Sequence, residues 1–438
     1  MDTVAVRKDF PTLRTDSGVY LDSACQSLRP DSVVQAVTEY YTEYPACGGR
    51  SVHRMSNEVT LRVDEAREAF CELMNGADPS RFVFTKNTTE AINTVASGLG
   101  LKKDDAVVTT DVEHNSNYVP WLCLRDRIGI KMRRSVSRDD GTFDIESFKN
   151  AMENDVRIVS VGHVSNVTGA AVPLRDICEI AHDRGALVMA DGAQAAPHMK
   201  VDLKGIGVDL YAFSLHKMLG PSGMGILYGA PGVLEHISPL TAGGGTVGLV
   251  TYDGHTDAPI PDRFEAGLQD YAGIFGAKAA AEYLMKVGMD EIRRHDSDLM
   301  RYMTDSIGDI RGLSLVGPSE PDKRSSVLSF NIDGLNAHDI AMMLDSADGI
   351  MIRSGMHCAH CYLDSRGIKG CARASVYLYN DRRDIDRFSN ALHRIASTFG
   401  RRRSVPRPLR ASLHPRNSEP HGIRGATGPH GVPSRSGP

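Results

Sequence analysis

An α/β architecture, a mostly parallel sheet covered on both faces and followed by a smaller α+β domain, is dictated by two patterns. Short apolar runs alternate with helical periodicity through the first two thirds of the 438-residue chain, the signature of βαβ units. From about residue 266 the pattern changes to longer helices. Hydrophobic content of 41% is ordinary for a globular protein, and 438 residues can bury a large core. The start, "MDTVAVRKDF", lacks the apolar stretch of a signal peptide, and no run reaches the ~18 apolar residues of a membrane span. A soluble, cytoplasmic protein is expected.

The elements follow in order. "RFVFT" is a strand ending at Thr85, and "TEAINTVASGL" is a helix with Ala91, Ile92, Val95, Ala96 and Leu99 on its apolar face. Asn87 with Glu90 fits a capping box at its start, so Thr88 and Thr89 stand at a helix N-terminus. Backbone N–H groups, the helix dipole and two hydroxyls form a cradle for phosphate there, although the same residues serve a plain cap equally well. "VRIVSVGHV" is a strand, "LRDICEIAHDRG" a helix and "ALVMADGAQ" a strand with Asp191 at its end. Such an acid faces a ligand crevice or caps the segment "GAQAA" after it. The next strand, in "DLYAFSLHK", runs to Lys217 with Ser214 and His216 beside it. Beyond 266 come the helix in "YAGIFGAKAAAEYLMKVG", a strand in "SSVLSFNIDG" and a helix in "AHDIAMMLDSA".

Charge restricts the partners. The formal net charge is −5, which gives no reason to expect nucleic acid or an anionic membrane. The last segment, "RRRSVPRPLRASLHPRNSEPHGIRGATGPHGVPSRSGP", carries eight arginines and one glutamate, about +7, leaving about −12 on the rest. Its composition is that of a disordered tail, whose basic residues are the one feature able to touch RNA. Eight irregularly spaced cysteines are too sparse for a disulfide framework and are expected to be reduced.

A lysine, a carboxylate and a phosphate cradle at strand ends of one sheet point together to one cofactor. Pyridoxal 5'-phosphate needs a lysine for its Schiff base, an acid to keep the ring nitrogen protonated and donors for its phosphate. The block "ADGAQAAPHMKVDLKGIGVDLYAFSLHKMLGPSGMGILYG" resembles that of class V aminotransferase-like, fold-type I pyridoxal phosphate enzymes, and is most similar to the Suf-type cysteine desulfurases. The likeness runs from "DFPTLRTDSGVYLDSA" to "RRDIDRFSNALHRI".

The resemblance implies a transferase with a seven-stranded-type sheet. It implies an N-terminal segment, 1–19, packed with the small domain, a large cofactor domain at 20–265, a small C-terminal domain at 266–399 and a tail at 400–438. Lys217 is then the lysine that holds the cofactor. Thr89, Ser214 and His216 go to the phosphate with Thr88 close by in the cofactor site, Asp191 to the ring nitrogen, and Gln194 and Asn166 to the ring hydroxyl. His114 of "DVEHNSNYVPW" stacks on the ring and helps move protons. In "IRSGMHCAHCYLDSRGIKGCARASVYLYN", Cys358 matches the persulfide-forming cysteine and Arg373 the arginine gripping the substrate carboxylate.

The implied reaction converts L-cysteine to L-alanine, with Lys217 taking the α-proton and Cys358 taking the sulfur for an acceptor protein, iron–sulfur clusters or thiolated products. A homodimer is implied as well. Two departures stand out. Leu268 of "FEAGLQD" occupies the place of a threonine that reaches the partner's phosphate, a contact Gln269 or the "AGGGT" loop could replace. Cys361 puts Cys358 in a C-x-x-C, with Cys371, Cys25 and Cys47 as further thiols; metal binding or sulfur relay by these stays open, no metal ligand being assigned. Other outcomes for the same cofactor block, selenocysteine lyase, cysteine lyase, epimerase or aminotransferase, also stay open, as does a non-catalytic iron–sulfur or metal scaffold.

Overall fold

The structure, a computed structural model, describes residues 1–15 and 18–399; the basic tail lies outside the described residues. Its larger sheet consists of β1 (Phe82–Thr85), β2 (Ala106–Thr110), β3 (Lys131–Ser135), β4 (Val156–Gly162), β5 (Leu187–Asp191), β6 (Leu210–Ser214) and β7 (Gly225–Gly229). Their spatial order is β1-β7-β6-β5-β4-β2-β3. From β6 to β3 the neighbours pair parallel, while β7 runs antiparallel to both β6 and β1. The reversal has a local cause: only a short loop joins β6 to β7, and a short loop joins antiparallel strands, whereas parallel ones need a crossover.

Both sheet faces are covered, and the strands show it residue by residue. Along β5, Val188 and Ala190 enter one hydrophobic core and Met189 the opposite one; along β6, Tyr211 and Phe213 enter the first and Leu210 and Ala212 the second. This is why these strands read as continuous apolar runs rather than alternating ones.

Every strand except β7 points its carboxyl end to the same edge. Strand ends and the segments leaving that edge carry Thr88, His114, Asp191 and Lys217. At β1 the chain turns into a helix, Thr88–Gly98, with the Asn87 side chain accepting from Glu90 N at 3.0 Å. Glu90 reaches back to Lys86 N at 2.5 Å, one residue earlier than the capping box expected around Asn87. Gly225 makes the close approach possible, since a Cβ there would come within 2.6 Å of Asn87 Cα.

A second sheet, β8 (Leu313–Val316), β9 (Val327–Ile332), β10 (Arg353–Gly355) and β11 (Cys371–Ser375), is antiparallel in the order β8-β9-β11-β10. Leu299, Met303, Phe330, Ile340, Phe388 and Leu392 form its core with the helices Met289–Ile307, Ala337–Asp348 and Arg382–Phe399. The alanine-rich helix Tyr271–Val287 packs instead in the larger core through Ile274, Phe275, Ala281 and Leu284. Passage from one core to the other therefore occurs in the helix after it.

The N-terminal residues belong to the second sheet's surroundings. Val19–Tyr20 pairs parallel with Ile350–Met351, Ser375 N donates to Leu21 O at 2.8 Å, and Arg7 pairs with Asp384 at 3.0 Å. This stitching carries Asp22 and Cys25 to the carboxyl edge of the larger sheet.

Candidate active site

A cavity of about 280 Å³ opens at that edge, and Thr88, Thr89, His114, Asn166, Asp191, Gln194, Ser214, His216, Lys217, Cys358 and Arg373 all line it. Residues separated by nearly three hundred positions thus meet at one place: the parallel strands deliver Thr88 through Lys217 at their carboxyl ends, and the second sheet, with the turn between its strands β10 and β11, brings Arg373 and Cys358.

Lys217 closes a 3-10 turn directly after β6. Burial lowers its pKa, Asp191 pulls it back up and Arg373 lowers it further, so the amine is pushed toward the neutral, nucleophilic form. Asp191 ends β5, is 8% exposed and accepts from Ala193 N at 3.0 Å. A turn, not a helix, follows it, so the carboxylate is no helix cap. Burial raises its pKa, while the Ala193 N–H and Lys217 oppose that rise.

At the helix start, Thr88 N donates to Ser214 Oγ at 2.8 Å, the Thr88 and Ser214 hydroxyls share a 2.6 Å bond, and Thr89 Oγ1 lies 2.7 Å from Ser116 Oγ. His216 is held at its carbonyl by Ser27 N at 2.9 Å. Burial, then Lys217 and Arg29, drop its pKa to about 4.

His114 is the N-cap of the helix Asn115–Ile128, its Nδ1 accepting from Ser116 N at 3.1 Å. Burial first, then Lys217, Arg373 and Arg353, lower its pKa to about 3. The ring is neutral, with Nδ1 an acceptor and the proton on Nε2.

Arg373, on β11, is 2% exposed. It donates through Nη1 to Asn166 O at 3.1 Å and through Nη2 to Asp22 Oδ1 at 3.2 Å. Its Nε has no partner. Asn166 Nδ2 is turned to His357 O at 2.7 Å, tying the Cys358 turn to the larger sheet. That turn holds His357 and Cys358 at φ of 49° and 55° and leaves Cys358 exposed.

The remaining thiols separate. Cys361 is exposed on the helix His360–Ser365, and Cys371 is buried with its pKa pushed up to about 11 by burial. Cys47 lies elsewhere, its carbonyl bonded by Ser56. All eight cysteines are unpaired, and among the described residues no group of three or more His, Cys, Asp or Glu is placed to hold a metal ion.

Several lining residues carry no motif of their own. Glu113 accepts from Thr110 Oγ1 and Asn117 Nδ2 at 2.6 Å each and from Gly162 N at 3.0 Å. Burial, despite these bonds, raises its pKa to about 7. Its position beside His114 was the available signal. Cys25 and Arg353 also line the cavity. Their meeting depends on the parallel pairing of residues 19–20 with 350–351, which local periodicity does not encode.

The donor set fits pyridoxal phosphate. Hydroxyls cluster at the start of an eleven-residue helix, a buried carboxylate stands across from an amine, and Gln194, 4% exposed, has an Oε1 without a partner while its Nε2 donates to Ala24 O at 2.8 Å. Such an orphaned amide oxygen on a cavity wall suits a polar ligand.

Comparison with known proteins gives consistent matches. A family model, Aminotransferase class-V, matches residues 19–388. A cysteine desulfurase of Haloferax volcanii is 35% identical over 420 residues, covering 91% of this chain and 98% of its own. One of Yersinia pestis is 37% identical over 403 residues, with 90% and 98% covered. Among solved structures, a cysteine desulfurase of Thermococcus onnurineus aligns with a TM-score of 0.86 at 36% identity, over 90% of this chain and 98% of its own. The cysteine desulfurase CsdA of Escherichia coli aligns with a TM-score of 0.85 at 34% identity, over 91% and 99%.

Proposed function

The chain belongs to the aminotransferase class-V family, and from that premise we propose that it is a pyridoxal 5'-phosphate-dependent cysteine desulfurase, converting L-cysteine to L-alanine and leaving the sulfur on Cys358. The observation that carries this reading is the convergence of Lys217, Asp191, Arg373 and Cys358 on one cavity, joined to relatives of that activity along nearly the whole chain.

Lys217 is the amine that would tether the cofactor, and its Nζ, when free of that tether, would take the proton from the substrate Cα. Pyridoxal phosphate, when bound, supplies the conjugated ring that accepts the charge left at Cα. Asp191 holds a negative charge toward the ring nitrogen, Thr88, Thr89, Ser214 and His216 take the phosphate, and Gln194 and Asn166 address the ring hydroxyl. Arg373, oriented by Asp22, binds the substrate carboxylate with its fork. His114, whose neutral form is favoured by burial, would stack on the ring and help move protons. Cys358 Sγ then attacks the substrate sulfur, the substrate C–S bond breaks, and protonation of the former sulfur-bearing carbon together with return of the Lys217 proton to Cα gives alanine and a Cys358 persulfide.

The working form is a homodimer whose sulfur goes to an acceptor thiol of another protein. In support of a second copy, the hairpin of Val247–Val250 and His255–Asp257 exposes Leu249, Val250 and Tyr252, and Leu268 is 62% exposed beside it. Gly267 N bonds Gly244 O at 2.7 Å, so the "FEAGLQD" and "AGGGT" segments form one apolar-edged surface. A reducing cytoplasm suits eight free thiols. The test is direct: purified protein mixed with L-cysteine must form alanine and protein-bound sulfur in equal amounts in the first turnover. Alanine absent, or formed with no protein-bound sulfur, overturns the reading.

A further inference from the structure

The reaction above leaves Cys25 without a task, yet its surroundings are those of a working thiol. Its Sγ lies 2.9 Å from Arg353 Nη1, a contact a thiolate accepts better than a thiol. The loop that carries it is pinned on both sides: Ala24 N donates to Ser375 Oγ at 2.9 Å, Ala24 O accepts from Gln194 Nε2 at 2.8 Å, and Cys25 N donates to Asp22 O at 3.0 Å. A second guanidinium, Arg373, stands close enough to feel its charge, and the nearly fully buried Nε of Arg373 has no partner. Cys25 and Cys358 line the same cavity, and the charges of both act on Lys217. Two cationic groups and two thiols around one lysine make an environment for anionic sulfur species.

We propose that Cys25 is a second sulfur station inside the site, taking the outer sulfur of the Cys358 persulfide. The inference rests on the desulfurase reading. In the step, the Cys25 thiolate attacks the outer sulfur, the S–S bond of the Cys358 persulfide breaks, and its electron pair leaves on Cys358 Sγ. One thiolate and one persulfide become one persulfide and one thiolate, with no net oxidation. The persulfide extends the reach of Cys358 by one S–S bond, about 2 Å, from a turn in which the Cys358 side chain is exposed. The consequence is storage: Cys358 is cleared for a second cysteine while the first sulfur waits beside Arg353.

The test uses the cofactor-loaded enzyme without reductant or acceptor thiol. After brief exposure to L-cysteine, persulfides are trapped by alkylation and mapped by peptide mass spectrometry, and the alanine burst is measured. Sulfur is expected on both Cys358 and Cys25, with the burst about twofold smaller in Cys25→Ala, and Cys25 is expected to be bare in Cys358→Ser. A loaded Cys358 beside a bare Cys25, with an unchanged burst in Cys25→Ala, overturns the relay and leaves the desulfurase reading standing. Sulfur on Cys25 in Cys358→Ser also overturns it, since Cys25 would then draw directly on substrate. No alanine and no persulfide at any cysteine takes down the desulfurase reading and the relay with it.

Discussion

Asp22 and Arg373 meet at 3.2 Å although 351 residues separate them. The pair joins the N-terminal loop to the second sheet and fixes which way the guanidinium fork faces. Burial raises the Asp22 pKa against the pull of Arg373, and burial lowers that of Arg373, so each ion depends on the other. Asp22→Asn is expected to raise KM for L-cysteine about 10-fold with a smaller change in kcat, as for a residue that orients a binding group. Steady-state kinetics check this; an unchanged KM would remove Asp22 from the account.

Lys217→Ala removes the amine that tethers the cofactor and takes the α-proton. Turnover is expected to fall by at least about 10³-fold, in the range set by losing a general base together with a nucleophile, and the visible absorbance of the wild-type protein should be lost or displaced. Alanine release and an absorption spectrum measure both.

For Asp191→Asn the fold should survive, since the carboxylate accepts one hydrogen bond, from Ala193 N. Alanine formation is expected to drop about 10²-fold because the ring nitrogen loses its charged partner. A rate near that of the wild type with cofactor fully bound contradicts the assigned role.

Glu113 supplies a pH test. Its folded pKa, about 7, lies above the ordinary value of 4.5, so the native state holds this proton more tightly than the unfolded chain. The stabilisation is fully present below about pH 4.5 and is lost as pH rises through about 7. Glu113→Gln cannot lose that proton. Between about pH 5.5 and pH 8 its melting temperature should therefore gain about 2–4 °C on that of the wild type, as scanning calorimetry measures.

Legibility in the sequence followed the range of each interaction. Strands that run apolar for four or more residues and end in Thr85, Asp191 or Ser214 announce themselves, because both sheet faces are buried and the site sits at strand ends. The Lys217 and Asp191 loops were readable for that reason. Less readable was the shift of the Glu90 cap to Lys86 N, a matter of side-chain reach within one turn. Arg353 and Asp22 carry no site signal in the sequence, and Cys25 stays an open candidate there, because their place depends on the parallel pairing of residues 19–20 with 350–351, a contact between chain ends that no local period records. The helix Tyr271–Val287 follows the change of pattern at 266 yet packs in the larger core; its alanine-rich surface fits either core, and only the packing decides.

The central claim is that Cys358 takes sulfur from L-cysteine through chemistry that Lys217 starts. The most direct test is a single turnover of the cofactor-loaded protein with L-cysteine, alanine being quantified and alkylated peptides analysed by mass spectrometry, in wild type and Cys358→Ser side by side. The account predicts one extra sulfur atom on the Cys358 peptide before any other site is loaded, alanine matching bound sulfur, and Cys358→Ser still binding the cofactor while forming almost no alanine. Alanine formed at the wild-type rate by Cys358→Ser, or extra sulfur on neither the Cys358 nor the Cys25 peptide of the wild type after turnover, would contradict it.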